Sequence, residues 1–244
     1  MFKILLNYII SFHIRGVAQP GSASVLGTEG RRFKSCLPDQ FSKGGFMRIF
    51  FIFSFSMFFV LSNVKASYQD AVELANKKDY KKSISEFIKV AKESDDKELK
   101  SKSMFNVAVM YENGLGVIKN TSLAVVWYKS SAENNNKIAQ YNLGWMHYHG
   151  DLVEKDYFKA FKYYEMSANQ GYSKAQFNLA NLHFSGLGTT KDLIQAYKWF
   201  KISSSNGISE SQQYLNFIKT QIPADELFIA EKQTIEWIKN FRVK

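Results

Sequence analysis

Residues thirty-six apart in this chain match in type three times in succession: Phe105, Tyr141 and Phe177; Gly114, Gly150 and Gly186; Trp127, Tyr163 and Trp199. The same step relates Asn106, Asn142 and Asn178, and Ala124, Ala160 and Ala196, with no gap between copies. A unit this short cannot bury an apolar face alone. Copies therefore stack into one extended core and leave a long curved surface for a partner.

Each unit reads as two helices. In the middle copy Ala139, Leu143, Met146 and His147 recur at helical spacing until Gly150, and Asp156 then precedes a second stripe of Ala160, Tyr163, Tyr164 and Ala168. The equivalent positions Asn120, Asp156 and Asp192 suit N-caps, whose side-chain oxygen accepts from first-turn amides. Small residues in phase, Ala108, Gly144 and Ala180 on one line and Ala132, Ala168 and Ser204 on another, predict close helix approach, with large residues filling the gaps.

Between about residues 99 and 216 these motifs resemble the Sel1-like repeat family, a relative of the tetratricopeptide repeats. AQYNLGWMHYHG, KAFKYYEMSANQG and NVAVMYENGLGV carry the likeness. It implies an all-α fold, a right-handed α-solenoid of stacked antiparallel helix pairs. Three departures are local. His147 and His183 stand where Tyr111 follows the family, Leu152 replaces the second turn glycine kept as Gly116 and Gly188, and Asn135 replaces the closing Gly171 and Gly207. The turn after Gly150 is therefore expected to differ in shape.

The flanks read as caps. Residues 67–96 hold a helix pair without the glycine motif, the repeats span 97–222 as three full copies and one partial, and 223–244 form a terminal capping helix. That helix is expected to turn Leu227, Ala230, Ile235, Ile238 and Phe241 to the stack and its charges outward.

Residues 47–66 have the layout of a secretory signal: Met47 and Arg48, an apolar run from Ile49 to Leu61, and small residues Val64 and Ala66 before an expected cut between Ala66 and Ser67. The run is shorter than the ~20 residues a bilayer span needs. Residues 1–46 resemble the conceptual translation of a proline tRNA gene followed by a ribosome-binding sequence at Lys43, Gly44 and Gly45. They are expected not to be translated, and to be disordered if made.

That division changes what charge implies. Eight of the 32 Lys and Arg and two of the 22 Asp and Glu lie in residues 1–66, leaving 24 against 20 and a net +4 after them, against +10 for the whole chain. Interspersed charges of both signs give a nucleic-acid stripe little support. Cys36, the single cysteine, falls in the leader, so an exported product has no disulfides. The cysteine pairs of those family members linked to penicillin binding are missing.

No catalytic set, cofactor motif or metal site emerges. His147 and His183 occupy equivalent repeat positions, and the glycine pairs Gly114/Gly116 and Gly186/Gly188 read as helix-terminating turns. The chain is therefore read as a non-enzyme without a cofactor. If the first helices line the concave side, as the resemblance implies, the candidate partner-binding residues are Asn106, Asn142, Trp145, Tyr148, Asn178, Asn181 and Phe184. Asparagine amides donate and accept together, which suits an extended peptide. Trp145 and Tyr148 are residue types enriched at hot spots. The alternative is that Trp145 and Phe184 pack against adjoining helices.

These features give a bacterial exported scaffold, periplasmic or secreted, that binds another protein or peptide in its concave groove, without nucleic acid and without a stable membrane anchor after cleavage. Similar family members regulate envelope signalling, secretion or exopolysaccharide production. The alternative reading is a cell-wall glycan binder or hydrolase.

Overall fold

A computed structural model describes residues 67–243, whose regular structure is entirely helical. The helices are α1 (67–76), α2 (Tyr80–Glu93), α3 (Lys97–Asn113), α4 (Thr121–Glu133), α5 (Lys137–His149), α6 (Tyr157–Asn169), α7 (Ser173–Ser185), α8 (Leu193–Ser205), α9 (Ser211–Lys219) and α10 (Ala224–Val243). The candidate signal at 47–66, including Ala66, and residues 1–46 lie outside the described residues, of which Ser67 is the first. No described helix is long and apolar enough to cross a membrane.

Pairs form within units, α3 with α4, α5 with α6 and α7 with α8, and each second helix packs on the next first helix. Their starts follow from chemistry visible in the sequence. Asn120, Asp156 and Asp192 accept from the amides of Leu123, Lys159 and Gln195 at 2.9, 3.0 and 2.9 Å. The first helices α3, α5 and α7 end on Gly114, Gly150 and Gly186, all left-handed.

Aromatic wedges lock the units together. Tyr128, Tyr164 and Phe200, again thirty-six apart, are fully buried on the second helices. Each ring meets the first helix of its own unit: Phe105 at 5.7 Å, Tyr141 at 5.8 Å and Phe177 at 5.6 Å between centroids. Each also reaches the first helix of the following unit. The Tyr128 hydroxyl, which donates to the Glu112 carboxylate of its own unit at 2.6 Å, has the Asn142 amide beside it, and Tyr164 has Asn178 beside it. Phe200 has no hydroxyl, and Tyr214, in phase with the asparagines, stacks on it at 4.5 Å. Gly144 makes room for one wedge, since a Cβ there would lie 2.7 Å from the Tyr164 ring.

A second seam is polar. Gln140 and Gln176 are completely buried, donating to the carbonyls of Ala132 and Ala168 at 3.0 and 3.2 Å and accepting from Gln170 and Asn206 at 2.7 and 2.8 Å. Each glutamine ties its helix to the unit before it. The hydroxyls of Ser131 and Ser167 bond the carbonyls of Ser101 and Lys137, fastening the second helix of a unit to its own first helix.

The C-terminal helix departs from expectation. Ala230 and Thr234 are its buried residues, and Leu227, Trp237 and Ile238 pack beside them, with Trp237 set edge-on to Trp199 at 5.3 Å. Ile235, expected to face the stack, is 68% exposed. Apolar residues occur all round this helix, and the face that meets Trp199 fixes its rotation. Phe241, also 40% exposed, still stacks on Trp237 and reaches the turn at Gly171.

The same helix packs on α8 instead of pairing with α9. The α9 face that would otherwise meet a second helix presents Gln212, Asn216 and Lys219, all exposed, where α7 has Gln176, Ala180 and His183. A polar outer face of this kind ends an array.

The turn after Gly150 keeps the shape of its neighbours. Leu152 adopts φ +63°, close to Gly116 at +73° and Gly188 at +71°. Leucine there is strained, and a side chain at Gly188 would in addition run into the backbone carbonyl of Tyr157. Leu152→Gly is therefore expected to raise stability by about 0.5–1 kcal/mol in denaturant unfolding, after the entropy cost of glycine is offset. Gly188→Ala is expected to lower it by about 2 kcal/mol or more.

Candidate functional site

The first helices α5, α7 and α9 enclose a depression of about 380 Å³. Trp145, Tyr148 and His149 come from α5, Asn178, Asn181, Phe184 and Ser185 from α7, and Tyr214 from α9, while the buried wedge Tyr164 forms part of the floor. Five of the seven candidates thus come together: Trp145, Tyr148, Asn178, Asn181 and Phe184. Asn106 instead lines a larger depression of about 840 Å³ with Tyr68, Phe105 and Lys102. Asn142 lines neither, since it stands over the Tyr128 hydroxyl.

The asparagine ladder is partly committed to the fold. Asn178 lies beside the hydroxyls of Tyr141 and Tyr164, and the Asn181 amide donates to the Phe177 carbonyl at 3.1 Å. Burial pushes both tyrosine hydroxyls above their usual range, so they stay protonated as hydrogen-bonding groups. No Asp or Glu lines this depression. It offers aromatic walls, amide groups and one exposed imidazole, a surface suited to binding.

Trp145 on α5 and Phe184 on α7 differ in kind. Trp145 is 39% exposed and its ring meets His149, on its own helix, at 4.4 Å. Phe184 is half-buried among Phe200, Tyr214 and Phe217 at 6.5, 5.7 and 5.8 Å. Trp145→Ala is expected to change unfolding free energy by less than about 1 kcal/mol. Phe184→Ala is expected to cost about 2–4 kcal/mol in the same measurement.

The repeat-phase histidines are packing groups. His147 is buried, stacks on Tyr163 at 5.8 Å and lies 3.1 Å from the Glu154 carbonyl through Nδ1. His183 meets Phe161 edge-on at 5.2 Å, and its buried Nδ1 has no partner among the described residues. Burial lowers its proton affinity below the ordinary 6.5; Asp192 opposes the shift and Lys198 adds to it. Above pH 6.5 the ring is neutral folded or unfolded, and below it the unfolded chain takes up the proton more readily, so stability falls with pH. Melting temperatures measured from pH 7.5 downward should show His183→Phe losing part of that acid slope. An unchanged slope would remove His183 from the account.

Among the described residues no cluster of His, Cys, Asp or Glu is placed to hold a metal. Sequence reasoning missed Tyr164 and Tyr214 as walls of the depression. Tyr214 had a signal, since it lies thirty-six residues beyond Asn178.

Comparison with known proteins agrees with this architecture. The Sel1 repeat family model matches residues 101–136, 137–172 and 173–208. Among solved structures, a Sel1 repeat protein from Oxalobacter formigenes is 26% identical, with a TM-score of 0.55 over 61% of this chain and 59% of its own. A protective antigen present in uropathogenic Escherichia coli strains and displaying an SLR fold is 28% identical, with a TM-score of 0.60 over 73% of this chain and 38% of its own. The chain therefore spans less than two thirds of either. A search of curated proteins finds no match.

Proposed function

We propose that this chain, which carries three Sel1 repeats, is an exported scaffold that holds a segment of another protein against its first helices. Sel1 repeats indicate a protein–protein interaction scaffold, and the observation that carries the finer reading is Trp145. It is a large aromatic side chain left open at the mouth of a depression whose floor is already secured by buried rings. Exposed tryptophan supplies much contact area for little ordering cost, a property of interaction hot spots.

In this reading an apolar side chain of the partner enters between Trp145, Tyr148 and Tyr214, while amide groups of Asn178 and Asn181 not engaged within the fold meet the partner's main chain. The signal-like layout of residues 47–66 supports a periplasmic or secreted location, with Ser67 as the mature N-terminus. Regulation of envelope signalling, secretion or exopolysaccharide production is the role this reading favours, by analogy with similar family members.

Pull-down from envelope extract, run beside sedimentation with purified peptidoglycan, tests the assignment. The expected result is a protein co-purifying with the wild-type chain and lost with Trp145→Ala, and no co-sedimentation with glycan. Recovery with glycan alone would overturn the protein-scaffold reading in favour of a glycan binder. N-terminal sequencing of the exported product should begin at Ser67; a product starting upstream of Met47 would contradict both the export signal and the reading of residues 1–46.

A further inference from the structure

We infer that the segment taken by this groove is acidic as well as aromatic, its carboxylates meeting a row of lysines along one edge of the stack; the inference rests on the groove reading above. Lys119, Lys155 and Lys191 are thirty-six residues apart, one in each turn that follows a first helix. Each packs its Cβ 3.1–3.3 Å from where a side chain on Gly114, Gly150 or Gly186 would begin, so the helix ends hold the lysine stems in register. All three residues are exposed, and among the described residues none has a carboxylate within 4.0 Å.

Two of these ammonium groups stand beside the aromatic walls of the depression. Lys191 Nζ lies 5.9 Å from the centre of the Phe184 ring, which lines the groove. Lys155 Nζ lies 5.1 Å from the Tyr157 ring, which itself meets the groove residue Tyr148 at 5.4 Å. A cation held over a ring by its stem keeps its other side open to an anion. The depression contributes no carboxylate of its own.

The nearby acids are unequal. Asp156 and Asp192 are occupied as helix caps, and Asp156 also pairs with Lys159 at 3.1 Å. Exposed Asp151 and Glu154 share the turn of Lys155, whereas the turn from Gly186 to Lys191 contains no acid. Lys191 should therefore be the stronger of the two anion contacts. Lysines at an edge could attract any polyanion. The aromatic walls and the main-chain-reading amides next to them favour a polypeptide with an aromatic residue followed by acids.

The test is fluorescence anisotropy of the full chain with three labelled peptides: one carrying Phe followed by two Glu, one with Phe followed by two Gln, and one with Ala followed by two Glu. The first is expected to bind most tightly, with affinity falling as salt rises. Lys191→Gln is expected to weaken it by about three- to fivefold, in the range of an exposed charge pair, and Lys155→Gln by less. Both variants should melt like wild type.

Equal binding of the Phe-Glu and Phe-Gln peptides, lost in Trp145→Ala but untouched by Lys191→Gln, would overturn the acidic requirement and leave the groove reading standing. Binding of the Ala-Glu peptide, or of polyphosphate, as tight as that of the Phe-Glu peptide would show a generic polyanion edge and overturn the inference. Peptide binding insensitive to Trp145→Ala would overturn the inference and the groove reading together.

Discussion

Consecutive units are joined by a ring pushed from each second helix beneath the first helix that follows. Tyr128, Tyr164 and Phe200 occupy that place, and each has a side chain of the following unit beside it, fourteen residues later. The amides of Asn142 and Asn178 stand beside the hydroxyls of Tyr128 and Tyr164, while the bare Phe200 ring stacks on Tyr214. A buried hydroxyl without a partner costs about 1–3 kcal/mol, a cost that Tyr128 avoids by donating to the Glu112 carboxylate at 2.6 Å. Burial raises the pKa of Tyr197, on the outer helix α8, to about 12, with Glu231 of the cap adding to the shift. There too a tyrosine bridges neighbouring elements in its neutral form.

Because these wedges and the buried glutamines hold the stack, Trp145 on the open face of the first helices is spared structural duty, whereas Asn181 and Phe184 beside it are partly used by the fold. Trp145 makes its aromatic contact with its own helix, and the groove around it is walled by rings whose outer edges remain available. The outer face is different. There the cap helix lies over α8, with Trp237 edge-on to Trp199 and Gln233 accepting from Gln195 at 2.8 Å, and so closes a surface that the first helices leave open. Capping at one end and openness along one face are both consequences of units that bury only part of their surface.

Much of this was legible in the sequence because the repeat compares each position with its equivalents. The three caps, the glycine helix ends and the family likeness all rest on such comparison. What escaped it were features that a period alone does not determine. Gln140 and Gln176 look like surface residues by type, and only the carbonyls of Ala132 and Ala168 explain their burial. Leu152 breaks the glycine pattern but not the backbone, since its left-handed conformation is imposed by the helix end before it. Ile235 was assigned to the wrong side of a helix with no repeat to compare against. The candidate binding residues are those left over from stacking, a criterion that takes in Trp145, which lines the groove, together with Phe184, which packs on Phe200, and Asn142, which lies beside Tyr128 outside the groove.

The central claim is that the face of the first helices, and not the outer face, meets another polypeptide. Photo-cross-linking in the native cell tests it most directly, with a benzoylphenylalanine placed at position 145 and, in a separate strain, at position 158. Phe158, 57% exposed on α6, is the outer-face control. The account predicts a discrete cross-linked protein from position 145 and none from position 158. The same adduct from both positions, or an adduct from position 158 alone, would contradict it.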